Sequence, residues 1–223
     1  MKIRTKHATM GAAAAVSAVL VAALAGCGSD GGADAGGSLS VDRVVELAEG
    51  VGKDGADACP VPYDAGKAAE AAGVDEGIEA GAAGAEAGEP MATGEGGRKT
   101  DAQSPFAGKA GGIITCSYHV SGEDVTVHTV GTEAGSATNY LLPTAQQAGG
   151  MSAEDVKSFG TQAYDAKPGA PVASKGGNVV TVRLDSGGKG DVALLLTVGE
   201  DDKSALKPDQ VVELARTFAA QAK

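Results

Sequence analysis

His119 and His128 are the side chains with the widest chemical range in this chain beyond its first 26 residues. Placed diagonally on one face of a β-hairpin, they would stand close enough to share a transition metal. A zinc or copper site takes three or four ligands, and no carboxylate or cysteine stands beside them in sequence. The pair therefore reads as two polar residues on a solvated strand face, and no metal or cofactor is expected. Ser117 lies two positions before His119. A serine with an imidazole is the raw material of nucleophilic hydrolysis, so Ser117, His119 and His128 define the enzyme reading: an envelope hydrolase with a site assembled from distant residues.

The remaining motifs are weaker. Ser204-Ala205-Leu206-Lys207 has Ser-x-x-Lys spacing, but the Ser-Asp-Asn and Lys-Thr-Gly elements that must accompany such a serine are missing. Ser204 is better read as the turn before the last helix. No Gly-x-Ser-x-Gly elbow occurs. Ser186-Gly187-Gly188-Lys189-Gly190 lacks the spacing of a phosphate loop and belongs to a hairpin. Glu200-Asp201-Asp202 lacks the alternating ligands of a calcium loop. Asp75, Glu76, Glu79 and Glu86 are too widely spaced for a carboxylate pair. No catalytic residue is assigned.

The chain opens with Lys2, Arg4 and Lys6, followed by an apolar run from Ala8 to Ala25 and then Leu24-Ala25-Gly26-Cys27. That order resembles a bacterial lipoprotein signal. The resemblance implies removal of residues 1–26, lipidation of Cys27, and display on the outer face of the cytoplasmic membrane, extracellular side. Residues 27–39 are rich in glycine and serine and read as a flexible tether, with an r.m.s. reach of roughly 20 Å for about 12 residues. Without the bases of residues 1–26 the formal charge falls from −11 to −14. So acidic a domain repels nucleic acid and anionic lipid heads, which leaves an envelope ligand or protein as the expected partner.

With Cys27 reserved for lipid, Cys59 and Cys116 remain as an even pair in an oxidising setting. A reactive thiol or a metal site is the competing use, and the lack of Cys-x-x-Cys spacing argues against both. The core needs a cross-link, because the chain has no Trp, three Phe and four Tyr. Val, Leu, Ile and Ala bury less area per residue than aromatic rings.

These residues must be positioned by residues 40–223, which read as one α+β domain: a largely antiparallel sheet with helices packed on it and one disulfide. Helices are expected from Ser40 to Glu49, Tyr63 to Ala72, Ala137 to Ala148 (interrupted by Pro143), Ser152 to Phe159, and from Pro208 onward. Asp42–Glu49 and Asp209–Arg216 share six of eight residues, which suits two similar helices on one sheet. Residues 113–120 and 125–130 alternate around Ser121-Gly122-Glu123-Asp124 and predict a hairpin whose opposed residue numbers sum to 245. Ile114, Cys116, Tyr118, Val120, Val125 and Val127 then share the core face. Thr115, Ser117, His119, Thr126 and His128 share the other. A second hairpin joins Asn178–Asp185 to Asp191–Gly199, whose Leu194-Leu195-Leu196 suits a central strand covered on both faces. Shorter strands are expected at 172–174 and 163–165. Residues 75–112, glycine and alanine with scattered acids, read as a low-complexity acidic insertion that buries too little apolar surface to order itself.

The Cys27 motif, the Cys59-Pro60-Val61-Pro62-Tyr63 helix entry closed at Gly73, and Cys116-Ser117-Tyr118 together resemble small actinobacterial cell-envelope lipoproteins. Their pattern is Cys-x-x-helix-Gly followed by Cys-x-Trp or Cys-x-Tyr. Many are streptomycete proteins of unknown function, and some of their domains are likened to extracellular sensor or binding modules. The resemblance implies a Cys59–Cys116 disulfide and supplies no catalytic residues. The expected function is a membrane-anchored, non-catalytic binding, sensor or accessory module. A carrier of a lipid or other hydrophobic ligand is the alternative, and it would require an enclosed apolar cavity.

Overall fold

The computed structural model describes residues 38–51, 54–86, 88–98, 105–200 and 203–222. The expected signal peptide, Cys27 and most of the expected tether lie outside the described residues. Leu39, assigned to that tether, is only 8% exposed and donates its N–H to the carbonyl of Ala222. Leu39 therefore belongs to the folded domain and not to a free tether.

The centre is β7 (Asp191–Val198), whose eight residues are all buried. A continuous apolar run is what a strand covered on both faces requires. β4 (Glu123–Thr132) and β6 (Val179–Leu184) flank it, both antiparallel. Beyond them lie β3 (Ala110–Val120) on one side and β5 (Pro171–Ala173) on the other. β1 (Glu79–Ala80) and β2 (Ala92–Arg98) share the outer edge of β3, which gives the order β1-β3-β4-β7-β6-β5 with β2 beside β1. The result is the expected α+β domain with an antiparallel sheet.

Helices pack on each face. α1 (Val41–Val51), α2 (Ala65–Ala71) and α5 (Pro208–Gln221) bury Val44, Val45, Leu214 and Phe218 with Ile114, Val127, Val182 and Leu196. On the opposite face, α3 (Ala137–Ala148) and α4 (Ala153–Asp165) bury Leu141, Ala145 and Phe159 with Val130, Ala193 and Leu195. The start of α3 is fixed from the sheet: the Asp191 carboxylate accepts from Ala137 N–H at 2.8 Å and from Ser136 Oγ at 3.1 Å. Arg183 donates to the same carboxylate at 3.0 Å and to the Tyr164 carbonyl at 3.1 Å, which ties the end of α4 into the knot. This buried carboxylate is thus both hydrogen-bonded and charge-paired, as burial requires. The Cys59–Cys116 disulfide joins the entry of α2 to β3, with Cα atoms 5.5 Å apart. Closing a loop of 57 residues stabilises by about 4 kcal/mol in the chain-entropy model.

Three local expectations are corrected. Residues 163–165 are the last turn of α4 and not a strand. The β3–β4 pairing sums to 243, as in Cys116 opposite Val127, because Ser121 and Gly122 alone form the turn, with φ of 52° and 75°. Two successive positive φ values suit the two-residue turn that matches strand twist. The slip is two residues, so every side chain keeps its expected face.

The third correction concerns 75–112, where a structureless insertion was expected. Residues 87 and 99–104 of that stretch lie outside the described residues, but β2 pairs with β3 over seven residues, Phe106 is buried, and β3 itself begins at Ala110. Order here comes from backbone and from close packing, not from large side chains. Gly96, Gly112 and Gly131 are cross-strand neighbours under α1. A Cβ on Gly112 would lie 3.1 Å from Val45 Cα, and one on Gly94 would lie 2.6 Å from the Ala48 carbonyl oxygen. The glycines are the floor on which the helix sits.

Candidate functional site

Alternation along β3 and β4 sends Thr115, Ser117, His119, Thr126 and His128 to the face that α3 and α4 cover only in part, and all five are half-buried. The two histidines are separated by the true register. His128 stands opposite Thr115 and His119 opposite Asp124. Four register positions, about 13 Å along a strand, lie between them, so they do not share a metal. Among the described residues, no three His, Cys, Asp or Glu side chains come together in a way that could hold a metal ion.

Each ring has its own structural partner. His128 Nδ1 shares a hydrogen bond with Thr115 Oγ1 at 2.9 Å, and burial lowers its pKa to about 4. The ring is therefore neutral at neutral pH, and the expected solvated position is corrected to a half-buried one. His119 reaches the edge of the sheet. Its Nδ1 donates to the Gly81 carbonyl at 3.1 Å, and its Nε2 lies 3.2 Å from the Glu79 carboxylate. The same stretch is held by Ala83 N–H donating to Asp124 Oδ1 at 2.6 Å, by Gly81 N–H donating to the Ser117 carbonyl, and by a Ser121–Glu76 contact. His119 thus fastens residues 79–83 to the hairpin. Among the described residues, no hydrogen bond joins Ser117 to either ring, and the serine–imidazole pair is not assembled.

The other candidates fall into structural places. Cys59 and Cys116 form the disulfide, with Cys116 fully buried. Ser204 Oγ accepts from Leu206 N–H at 3.0 Å, and Lys207 is the residue before α5, so the Ser-x-x-Lys match is a turn into a helix. Glu200 follows β7, while Asp201 and Asp202 lie outside the described residues. Cys27, the lipidation candidate, also lies outside them.

The register creates a feature that sequence motifs did not single out. Ser117, Thr126 and Thr197 are neighbours across β3, β4 and β7, which makes a row of hydroxyls on one face. Its inner end opens into a cleft of about 270 Å³ between the sheet and the last turn of α3, lined by Asp124, Thr126, Thr144, Gln147, Thr197 and Glu200. The available signal was Thr197, a hydroxyl ending the apolar run Val192–Leu196. A second cleft, of about 580 Å³, lies between the end of α5 and the Pro168–Gly169 loop and is lined by Leu184, Asp185, Arg216 and Ala219. No protein-family model, curated protein or solved structure matches the chain.

Proposed function

We propose that this chain is an extracytoplasmic lipoprotein, anchored through Cys27, whose folded domain is a non-catalytic binding or accessory module for an envelope ligand or protein. The observation that carries the reading is the Cys59–Cys116 disulfide. Bonds of this kind persist in exported proteins and are rare in reducing compartments, and this one uses both cysteines left when Cys27 is reserved for lipid. The binding role rests on how the polar face is used: His119 and His128 are occupied by strand and strap contacts, while the threonine-lined cleft beside them is open. A carrier of hydrophobic ligands is less favoured, because apolar side chains fill both cores and the two clefts open to the surface.

The anchor is tested by growing a bacterial host that expresses the full chain on an alkyne-bearing palmitate analogue. Label is expected on the wild-type chain in the membrane fraction and absent from Cys27→Ala. An unlabelled wild-type chain, or equal labelling of the variant, overturns the lipoprotein assignment.

A further inference from the structure

Thr197 is the side chain around which a site can be built. It is 6% exposed, yet among the described residues its hydroxyl makes no hydrogen bond, and it is not a sealed orphan like the Tyr118 hydroxyl or Thr138 Oγ1. A threonine so deeply set with an unspent hydroxyl must present that oxygen to the cleft it lines. Thr126, directly opposite on β4, is likewise without a side-chain bond among the described residues, and so are Thr144 and Gln147 on α3. Two carboxylates stand exposed at the mouth: Glu200, and Asp124, one oxygen of which already accepts from Ala83 N–H.

We infer that this cleft binds a neutral polyhydroxylated ligand, of the class of a terminal sugar unit of a glycan. The inference rests on the binding-module reading and names its ligand class. Hydroxyls and an amide both donate and accept, which is the pairing that sugar hydroxyls need, and mouth carboxylates accept from vicinal hydroxyl pairs. Anions are disfavoured by Asp124 and Glu200, with no Lys or Arg among the described residues of the lining. An apolar ligand would strand the floor hydroxyls without partners. The volume lies just below the roughly 300 Å³ at which small-molecule clefts usually begin, which limits the occupant to about one sugar ring.

The test uses the isotope-labelled full chain in detergent micelles, titrated separately with glucose, galactose, N-acetylglucosamine, galacturonate and spermidine while backbone amide resonances are followed. At least one neutral sugar should shift the amides of Thr126, Gln147 and Thr197 in a saturable way at millimolar concentration. Thr197→Val and Thr126→Val, which keep side-chain shape, should each weaken that binding about tenfold, or ~1.4 kcal/mol. An unchanged spectrum away from the cleft shows that each variant is folded. Three results would each overturn the inference: no neutral sugar shifts these amides up to about 100 mM, binding is undiminished in both valine variants, or only spermidine binds. In the spermidine case the ligand class fails while a binding domain survives. Silence across the whole panel removes support from both.

Discussion

α1 and α5 carry nearly the same sequence and lie on the same face of one sheet, yet they bury different residues. In Asp42–Glu49 the helix turns Val44, Val45 and Ala48 inward and leaves Leu47 half-buried at its flank. In Asp209–Arg216 the equivalent leucine, Leu214, is fully buried and Val212, the equivalent of Val45, is the half-buried one. The floors explain the roll. Beneath α1 lie Gly94, Gly96, Gly112 and Gly131, over which small side chains bring the helix backbone almost onto the strands. α5 shares its cluster with Val180, Val182 and Leu196, and Phe218 packs edge-on to Tyr63 at 5.3 Å and against Tyr118 at 5.8 Å. A hydrophobic pattern therefore selects a helix and a stripe of about 100°, while the facing surface selects which edge of the stripe points down.

The two helices should differ most at Phe218. Phe218→Ala should cost about 3–5 kcal/mol, because it removes a fully buried ring packed against Tyr63 and Tyr118. Urea unfolding followed by circular dichroism measures it, and a loss below 1 kcal/mol on that scale would mean that α5 is not the anchored helix. Leu214→Ala should cost about 2–5 kcal/mol, whereas Leu47→Ala, at the equivalent position of α1, should cost about 1 kcal/mol. Equal losses at the two leucines would remove the asymmetry just described.

Gly94→Ala tests the glycine floor directly. Its new Cβ meets a backbone oxygen of α1 that cannot rotate aside, so a loss of about 1–3 kcal/mol is expected, against a smaller one for Gly112→Ala. A neutral or stabilising Gly94→Ala, as lowered chain entropy alone would give, refutes the seating of α1 on β2. This region is also where sequence reading stopped. The helices, both hairpins, the central strand and the cysteine pair were legible, because each is written in local periodicity, turn residues or residue counts; the exception is the interruption expected at Pro143, which the continuous helix Ala137–Ala148 carries within it. β2 was not legible. Ala92-Thr93-Gly94-Glu95-Gly96-Gly97-Arg98 carries no alternation, and its order comes from β3, more than ten residues away, and from α1, more than forty away. The histidine placement missed by one turn geometry, since a two-residue loop in place of four moved each residue's partner by two. The cleft needed the pairing of Thr126 with Thr197, which joins two hairpins and has no local signature.

His128 offers the gentlest test, because it lies under neither α1 nor α5. Its pKa falls from 6.5 to about 4 in the folded chain through burial. Between those values the unfolded chain holds the extra proton, so stability should be complete above pH 6.5 and decline as pH falls toward 4. Allowing for the solvent that reaches this half-buried ring, the loss is about 1–2 kcal/mol, and His128→Gln should flatten it. Amide hydrogen exchange at pH 7 and pH 4.5, two settings of about neutral and mildly acidic solution, separates two outcomes. If the halves under α1 and α5 loosen together, the glycine floor and the aromatic floor belong to one cooperative unit joined through β4 and β7. If the α1 side loosens first, close packing on glycine has given that half contact without the buried area that holds α5.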